Sequence, residues 1–260
     1  MTDENQAVLC SVEGSVAQIT LNRPEKKNAL NDTLIAGIKN ALIEVNAAEA
    51  VRAVVITGAG DDFCSGADLS ALQKISEASV SENADDARSL MELFILIRQV
   101  RVPVIAAVRG RALAGGAGLA SACDIVLAST SARFGYPEVK IGFVPAMVMA
   151  ILRRNISEKR AFELITHGEE ISAEKAKQFG LVNQVFKDED FEDAVSAYAR
   201  GFESVSRSAV ALTKSLLYQI DGMAFGEALE TGVDVNVIAR ATEDCQKGIA
   251  RFLKNTQGGK

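Results

Sequence analysis

Residues 63–69 read Phe63-Cys64-Ser65-Gly66-Ala67-Asp68-Leu69, and this stretch decides the fold prediction. A run typical of a buried strand, Ala53 to Thr57, precedes it, and a predicted helix follows, so we expect a strand-to-helix turn. Such a turn can present a main-chain N–H at the start of a helix to a developing negative charge. Taken alone, it is also typical of a tight turn in which Asp68 caps the helix.

A second glycine-rich turn lies further along the chain, again between a predicted strand and a predicted helix. It reads Gly110-Arg111-Ala112-Leu113-Ala114-Gly115-Gly116-Ala117-Gly118. The turn has neither the Lys-Ser/Thr pair of a phosphate-binding P-loop nor the GxGxxG pattern, so a nucleotide kinase or a dinucleotide-binding fold is not supported. Small residues here also suit a helix that packs closely against a strand.

A single acid follows a proline in the third segment, Phe134-Gly135-Tyr136-Pro137-Glu138. Partial burial among apolar neighbours would raise the pKa of Glu138 toward the range useful for proton transfer. The alternative is an ordinary loop glutamate in water. The only histidine, His167, precedes Gly168 near a predicted helix end and is interpreted as a surface or capping residue, which argues against Ser-His-Asp or Cys-His catalysis.

The remaining pattern predicts an α/β fold. The strand, helix, strand order up to about residue 130 favours parallel sheet content, and helices dominate from about residue 147. Residues 74 to 86 are polar and predict a mobile surface segment that could gate a site. Further expected elements are a hairpin of Val8 to Val12 and Val16 to Leu21, a helix capped by Asn31 or Asp32, and strands at Val102 to Val108, Ile125 to Ala128 and Val182 to Phe186.

Composition excludes several classes of protein. The 260 residues carry a formal net charge of -6, which opposes binding to nucleic acid. No apolar run reaches the roughly 18 residues of a membrane span. The start, Met1 to Gln6, lacks the features of a targeting signal, so a cytoplasmic location is expected. The four widely spaced cysteines predict reduced core thiols rather than a metal or redox site.

Together the segments resemble the crotonase, or enoyl-CoA hydratase/isomerase, superfamily. The order and spacing of the matching pieces extend over about two-thirds of the chain. The pieces are Leu21-Asn22-Arg23-Pro24, Asn28-Ala29-Leu30, Phe63 to Leu69, Pro103 to Val108, Gly115-Gly116, Cys123-Asp124-Ile125, Phe134-Gly135, Pro137-Glu138, Gly142 and Gly180-Leu181-Val182.

This resemblance implies an architecture and an assembly. Residues 1–190 would form a crotonase-like spiral of strand-strand-helix turns with the acyl-CoA site, and residues 191–260 a helical segment for trimerisation. The implied assembly is a homotrimer, or a hexamer made of two trimers. The implied partner is an acyl-CoA thioester, which is the substrate, and no metal or other cofactor is expected.

The resemblance also implies the site. The amides of Ala67 and Gly115 would hold the thioester oxygen, and Glu138 would move the proton. The CoA phosphates would meet Arg23, Lys26 or Lys27, which the sequence does not rank. The implied substrate-binding residues are Ala29, Ala67, Asp68, Leu69, Ser70, Gly115, Gly116 and Gly118.

One position departs from the family pattern. Hydratases of the family typically carry two glutamates, and Gly118 stands at the first of these positions, while Ala146-Met147-Val148 replaces the usual glycine cluster. A single carboxylate suits a double-bond isomerase. The segments around Gly115 and Glu138, however, resemble the branch that hydrates branched substrates, which often lacks the first glutamate. Hydration of a 2-enoyl-CoA is therefore favoured, with 3,2-enoyl-CoA isomerisation and non-catalytic acyl-CoA binding as alternatives.

Overall fold

The computed structural model describes residues 6–257. Residues 1–5, which hold most of the polar start considered above, and residues 258–260 lie outside it. In the described range the strands are β1 (Val8–Glu13), β2 (Val16–Leu21), β3 (Ala53–Gly58), β4 (Val104–Val108), β5 (Arg111–Leu113), β6 (Ile125–Ser129), β7 (Arg133–Gly135), β8 (Ile171–Ser172) and β9 (Gln184–Phe186). The α-helices are α1 (Asp32–Ala47), α2 (Leu69–Glu77), α3 (Val80–Gln99), α4 (Gly115–Ala122), α5 (Ala146–Asn155), α6 (Glu158–His167), α7 (Ala173–Phe179), α8 (Phe191–Arg200), α9 (Arg207–Gln219), α10 (Phe225–Ala241) and α11 (Glu243–Gln257).

The strands form two sheets. The main sheet has the order β1-β2-β3-β4-β6-β9, in which β1 and β2 form an antiparallel hairpin and the remaining neighbours run parallel. Each parallel connection includes at least one helix, as the geometry of a parallel crossover requires. The small sheet has the order β5-β7-β8. Since β4 leads into β5 and β6 into β7, the chain alternates between the two sheets as it winds forward.

The central strands of the main sheet, β3, β4 and β6, are buried on both faces, which explains why they are mostly apolar, whereas most of the edge strand β1 is exposed. Alternate residues of β3 belong to different cores: Val54 and Ile56 pack into the large core that includes α1 and α3, and Ala53 and Val55 pack into a smaller one. Helix α8 closes the smaller core. Its buried residues are Phe191, Val195 and Ala199.

The α/β class predicted from the sequence is confirmed, and so is the hairpin. The first long helix is capped by Asn31, whose side chain accepts a hydrogen bond of 2.9 Å from the amide of Leu34. The strands predicted to start at Val102 and Val182 each begin two residues later, which is ordinary for strand ends.

Residues 74 to 86 lie at the surface, as predicted, but they are helical and do not form the loop that their composition suggested. These residues form the end of α2 and the start of α3. Ser79 begins α3 with a capping box, because its hydroxyl accepts from the amide of Glu82 and the Glu82 carboxylate accepts from the amide of Ser79. The amide side chain of Asn83 also donates to the carbonyl of Ile75 at 3.1 Å. Polar residues that suggested a loop are therefore the solvent face and cap of two helices.

The cysteine prediction is right for two residues and wrong for two. Cys64 and Cys123 are buried, whereas Cys10 is exposed and Cys245 is partly exposed. Cys10 lies in the exposed part of β1, the edge strand of the main sheet, and Cys245 lies on α11. All four thiols are free.

The chain from Phe191 to Gln257 is helical and contains no strand in the described range, as predicted. Helix α9 is tied to the core by Lys214, whose Nζ lies 2.6 Å from Asp124 Oδ2 and 2.8 Å from the carbonyl of Ile97. Helices α10 and α11 instead leave large apolar side chains exposed. Within residues 6–257, every helix is too short or too polar to cross a membrane.

Candidate active site

The first turn of the site is held by Asp68. Its Oδ1 accepts hydrogen bonds from the amide and hydroxyl of Ser70, at 3.0 and 3.1 Å, and so caps α2. Its Oδ2 lies 2.6 Å from Arg23 Nη2, and Arg23 Nη1 donates to the carbonyl of Ala29 at 2.6 Å. The hydrogen bond from Arg23 is the main reason that the pKa of Asp68 is lowered. Asp68 and Arg23 therefore shape the backbone of this turn.

The backbone at Ala67 is left with an unused donor. Leu30 and Ala67 form an isolated bridge in which the amide of Leu30 donates to the carbonyl of Gly66 at 2.6 Å and the amide of Asp68 donates to the carbonyl of Leu30 at 3.1 Å. This bridge does not use the Ala67 N–H, which has no acceptor within residues 6–257. Gly66 has a φ of 98°, a left-handed conformation that glycine adopts without strain.

The second turn ends at the start of α4. Ala114 has a φ of 49° and a ψ of -125°, and its amide donates to the carbonyl of Gly135 at 2.8 Å. Gly115 is the first residue of the helix, where amide groups lack a partner within the helix. The Gly115 N–H accordingly donates to no other group in the described part of the chain.

The two turns are in direct contact. A Cβ added to Gly116 would lie 2.3 Å from the carbonyl oxygen of Cys64, so only glycine fits between them. A Cβ on Gly115 would lie 3.0 Å from Leu30 Cδ1, and Leu30 is the residue bridged to Ala67. The residues that carry the two unused amides thus share one neighbour, Leu30.

Glu138 lies in a short 3-10 helix, Pro137–Ile141, directly after β7. The residue is partly buried, and its Oε2 atom is buried without a hydrogen-bond partner in the described structure. Burial raises the pKa of Glu138, because removing the carboxylate from water disfavours its charged form. A buried carboxylate oxygen without a partner is unusual in a native protein, and such groups often have a catalytic role.

Apolar side chains occupy the space beside Gly118. A Cβ on Gly118 would lie 2.6 Å from Val148 Cγ2 and 3.3 Å from Phe94 Cζ. No larger side chain fits at this position unless Val148 is displaced. The packing of α4 against α5 and α3 therefore accommodates the glycine that stands at position 118 in place of the family's glutamate.

The other predicted site residues are placed as follows. Ala29 and Gly116 are buried, Ser70 is exposed, and the side chain of Leu69 lies outside the described residues. Lys26 and Lys27 are exposed, whereas two guanidinium nitrogens of Arg23 are already engaged with Asp68 and Ala29. His167 is exposed in the last turn of α6, as expected of a surface residue.

Sequence reasoning assigned no role to Asn28, which organises the first turn. Asn28 is fully buried with a φ of 53°, and its Nδ2 donates to the carbonyls of Ala59 and Asp62 at 2.9 and 2.8 Å. Its Oδ1 accepts from the amide of Arg23 at 2.9 Å. The available sequence signal is an asparagine in the loop before α1, because asparagine tolerates a left-handed backbone conformation better than most residues.

Known proteins are similar to this chain over nearly its whole length. The model of the enoyl-CoA hydratase/isomerase family matches residues 11–258. A Thermus thermophilus protein, provisionally named an enoyl-CoA hydratase, is 39% identical over 242 residues, which are 93% of this chain and 96% of that protein. The crotonyl-CoA hydratase of Syntrophomonas wolfei is 33% identical, with 95% of each chain covered.

Solved structures are also similar to this chain over nearly its whole length. The crystal structure of a Mycobacterium smegmatis enoyl-CoA hydratase superposes with a TM-score of 0.91 at 30% identity and covers 96% of each chain. The match over nearly the whole chain confirms the fold and the resemblance that the sequence motifs indicated. This chain belongs to the enoyl-CoA hydratase/isomerase family.

Proposed function

We propose that this protein adds water to the double bond of a 2-enoyl-CoA thioester, with Glu138 as its only acid/base side chain. The observation that carries the proposal is the buried Glu138 Oε2 atom, which has no partner in the described structure. Names of relatives support hydration: two similar proteins are called hydratases, one of them a crotonyl-CoA hydratase. In this proposal the acyl-CoA is the substrate and no further cofactor takes part.

Two backbone amides would stabilise the charge that develops during the reaction. The N–H groups of Ala67 and Gly115 have no other acceptor within residues 6–257, and their turns are in contact. Both would donate to the thioester oxygen, which becomes negative as the enolate forms. Preorganised donors of this kind stabilise a transition state because they need no reorientation during the reaction.

Glu138 would transfer the proton in both halves of the reaction. The oxygen of a water bonds to the β-carbon while the Glu138 carboxylate takes one proton from that water, and the π electrons move to the thioester oxygen. Glu138 then returns the proton to the α-carbon, and the enolate collapses to the 3-hydroxyacyl thioester. A raised pKa suits a group that must both accept and return a proton near neutral pH.

Isomerisation is the second candidate, and the packing at Gly118 favours it. Val148 and Phe94 fill the space in which a second carboxylate would lie, so the neighbourhood is apolar. Glu138 would take a proton from C2 of a 3-enoyl-CoA and return it to C4, with a dienolate held by the same two amides. A third candidate, from a different class, is binding of acyl-CoA without turnover.

Product masses separate the three candidates. We would incubate the protein with short 2-enoyl-CoA and 3-enoyl-CoA thioesters and analyse the products by mass spectrometry and chromatography. Gain of one water by the 2-enoyl thioester supports hydration. Conversion of the 3-enoyl thioester at unchanged mass supports isomerisation, and binding of acyl-CoA with neither product supports the non-catalytic role.

A further inference from the structure

A buried tyrosine connects the segment of Glu138 to helix α4. Tyr136 precedes Glu138 by two residues, is fully buried, and is the N-cap residue of the short 3-10 helix that carries the acid. Its hydroxyl oxygen lies 2.9 Å from Ser121 Oγ, in the last turn of α4. Neither Tyr136 nor Ser121 has a role in the proposed chemistry as described so far.

The direction of this hydrogen bond follows from the bonds of Ser121. The Ser121 hydroxyl donates its single hydrogen to the carbonyl of Ala117 at 2.7 Å, so Tyr136 must donate to Ser121 Oγ. Burial raises the pKa of the Tyr136 phenol, so the hydroxyl keeps its proton at neutral pH. The carbonyl of Ser121 is held in turn by the side-chain amide of Asn155 at 2.9 Å.

The same segment is attached to α4 at the other end of the helix. The carbonyl of Gly135 accepts the amide of Ala114 at 2.8 Å, and Ala114 immediately precedes Gly115. Ala114 and Ser121 are seven residues apart, or about 10 Å along a helix axis. Adjacent residues, Gly135 and Tyr136, thus hold α4 at both ends, one through the backbone and one through a side chain.

We propose that Tyr136 is a positioning residue, whose hydrogen bond to Ser121 fixes Glu138 relative to the amide of Gly115. This inference rests on the proposed function, because it matters only if Glu138 and that amide act on the same substrate. Proton transfer to a carbon is sensitive to geometry, and a displacement of about 1 Å can lower a rate by roughly a hundredfold. A two-point attachment would limit such displacement.

The test removes one hydroxyl at a time. Tyr136→Phe keeps the buried ring and loses the hydrogen bond to Ser121. Tyr218→Phe is the control, because the Tyr218 hydroxyl also makes a hydrogen bond, of 2.7 Å to Asp124 Oδ1, but Tyr218 lies on α9 and not on the segment that carries Glu138. Ser121→Ala removes the acceptor and carries the same test if Tyr136→Phe does not fold.

Two rates are measured for each variant. The first is the rate at which the C2 hydrogens of butyryl-CoA exchange in D2O, measured by mass spectrometry. This exchange requires only the base and the two amides. The second is kcat and KM for whichever enoyl thioester reacts, across a pH series. Melting temperatures report any general loss of stability.

We expect Tyr136→Phe to lower both the exchange rate and kcat by roughly tenfold or more while KM stays within about twofold of the parent value. The midpoint of the pH profile should not move, because the lost group is neutral. Ser121→Ala should lower both rates to a similar extent. The double variant Tyr136→Phe/Ser121→Ala should be no slower than either single variant, and Tyr218→Phe should retain both rates.

Unchanged rates in Tyr136→Phe, with the parent active, would overturn the positioning role and leave the proposed function intact. A parallel loss of rate in Tyr218→Phe would also overturn it, because the effect would then be one of general stability. If the parent neither exchanges butyryl-CoA hydrogens nor converts any enoyl thioester, the proposed function fails and the role of Tyr136 fails with it.

Discussion

At the scale of single residues, the most specific prediction concerns the effect of replacing Glu138 on turnover. Glu138→Gln keeps the shape of the side chain but cannot accept a proton, so we expect turnover to fall by about a hundred- to ten-thousandfold with acyl-CoA affinity retained. Glu174→Gln, a change of the same kind at an exposed glutamate on α7, should leave turnover within a few-fold. Steady-state kinetics and calorimetric titration with acyl-CoA measure the two quantities. Near-parent turnover in Glu138→Gln would mean that another group moves the proton.

The pKa of the same residue sets the pH dependence. Hydration begins with the charged carboxylate, so kcat/KM should rise with pH through the pKa of Glu138 in the free enzyme. Burial raises that pKa, and the rise should therefore be centred above the ordinary glutamate range. A pH profile of kcat/KM measures it. A flat profile across the acid range would contradict the assignment.

At the scale of elements, the contact between the two turns is the feature most sensitive to change. Gly116→Ala would place a Cβ 2.3 Å from the backbone oxygen of Cys64, and α4 would have to move away from the first turn. We expect a loss of about 1–3 kcal/mol in the free energy of unfolding together with loss of turnover. Gly248→Ala lies in the exposed helix α11, where the added Cβ would have no side chain and no backbone of another element within 4 Å. This change should instead be neutral or stabilising. Denaturant unfolding compares the two, and equal stabilities would refute the contact.

The helices and strands also show which structural features could be predicted from the sequence. Apolar spacing and the Asn31 cap predicted α1, and turn residues predicted the hairpin, because both signals are local. The polar stretch from residue 74 was misread as a loop, although Ser79 and Glu82 have the spacing of a capping box. The pairing of Gly118 with Val148 was not predicted, since the two residues are 30 positions apart and meet only when α4 packs against α5.

At the scale of the whole molecule, the apolar face of α10 predicts self-association. This face consists of Phe225, Leu229, Val233 and Val237, spaced four residues apart and each at least half exposed. Such a contiguous exposed apolar surface is unusual for a monomer. Sedimentation should therefore show the homotrimer or hexamer that the sequence predicts. Val233→Glu should weaken the assembly, and Val80→Glu, at an even more exposed valine on α3, should not. A parent that is monomeric at micromolar concentration would contradict this expectation.

The partial burial of the Glu138 carboxylate also has a consequence for folding stability. Because its pKa is higher in the folded chain than in the unfolded one, the folded chain binds the proton more tightly. The free energy of unfolding therefore falls as pH rises from the unfolded-state pKa through the raised folded-state value, and the loss is complete above it. Glu138→Gln has no charge to desolvate, so it should melt at a higher temperature than the parent at neutral pH, and the difference should shrink on acidification below the ordinary glutamate range. The protein would then retain at position 138 a residue that lowers the stability of the fold.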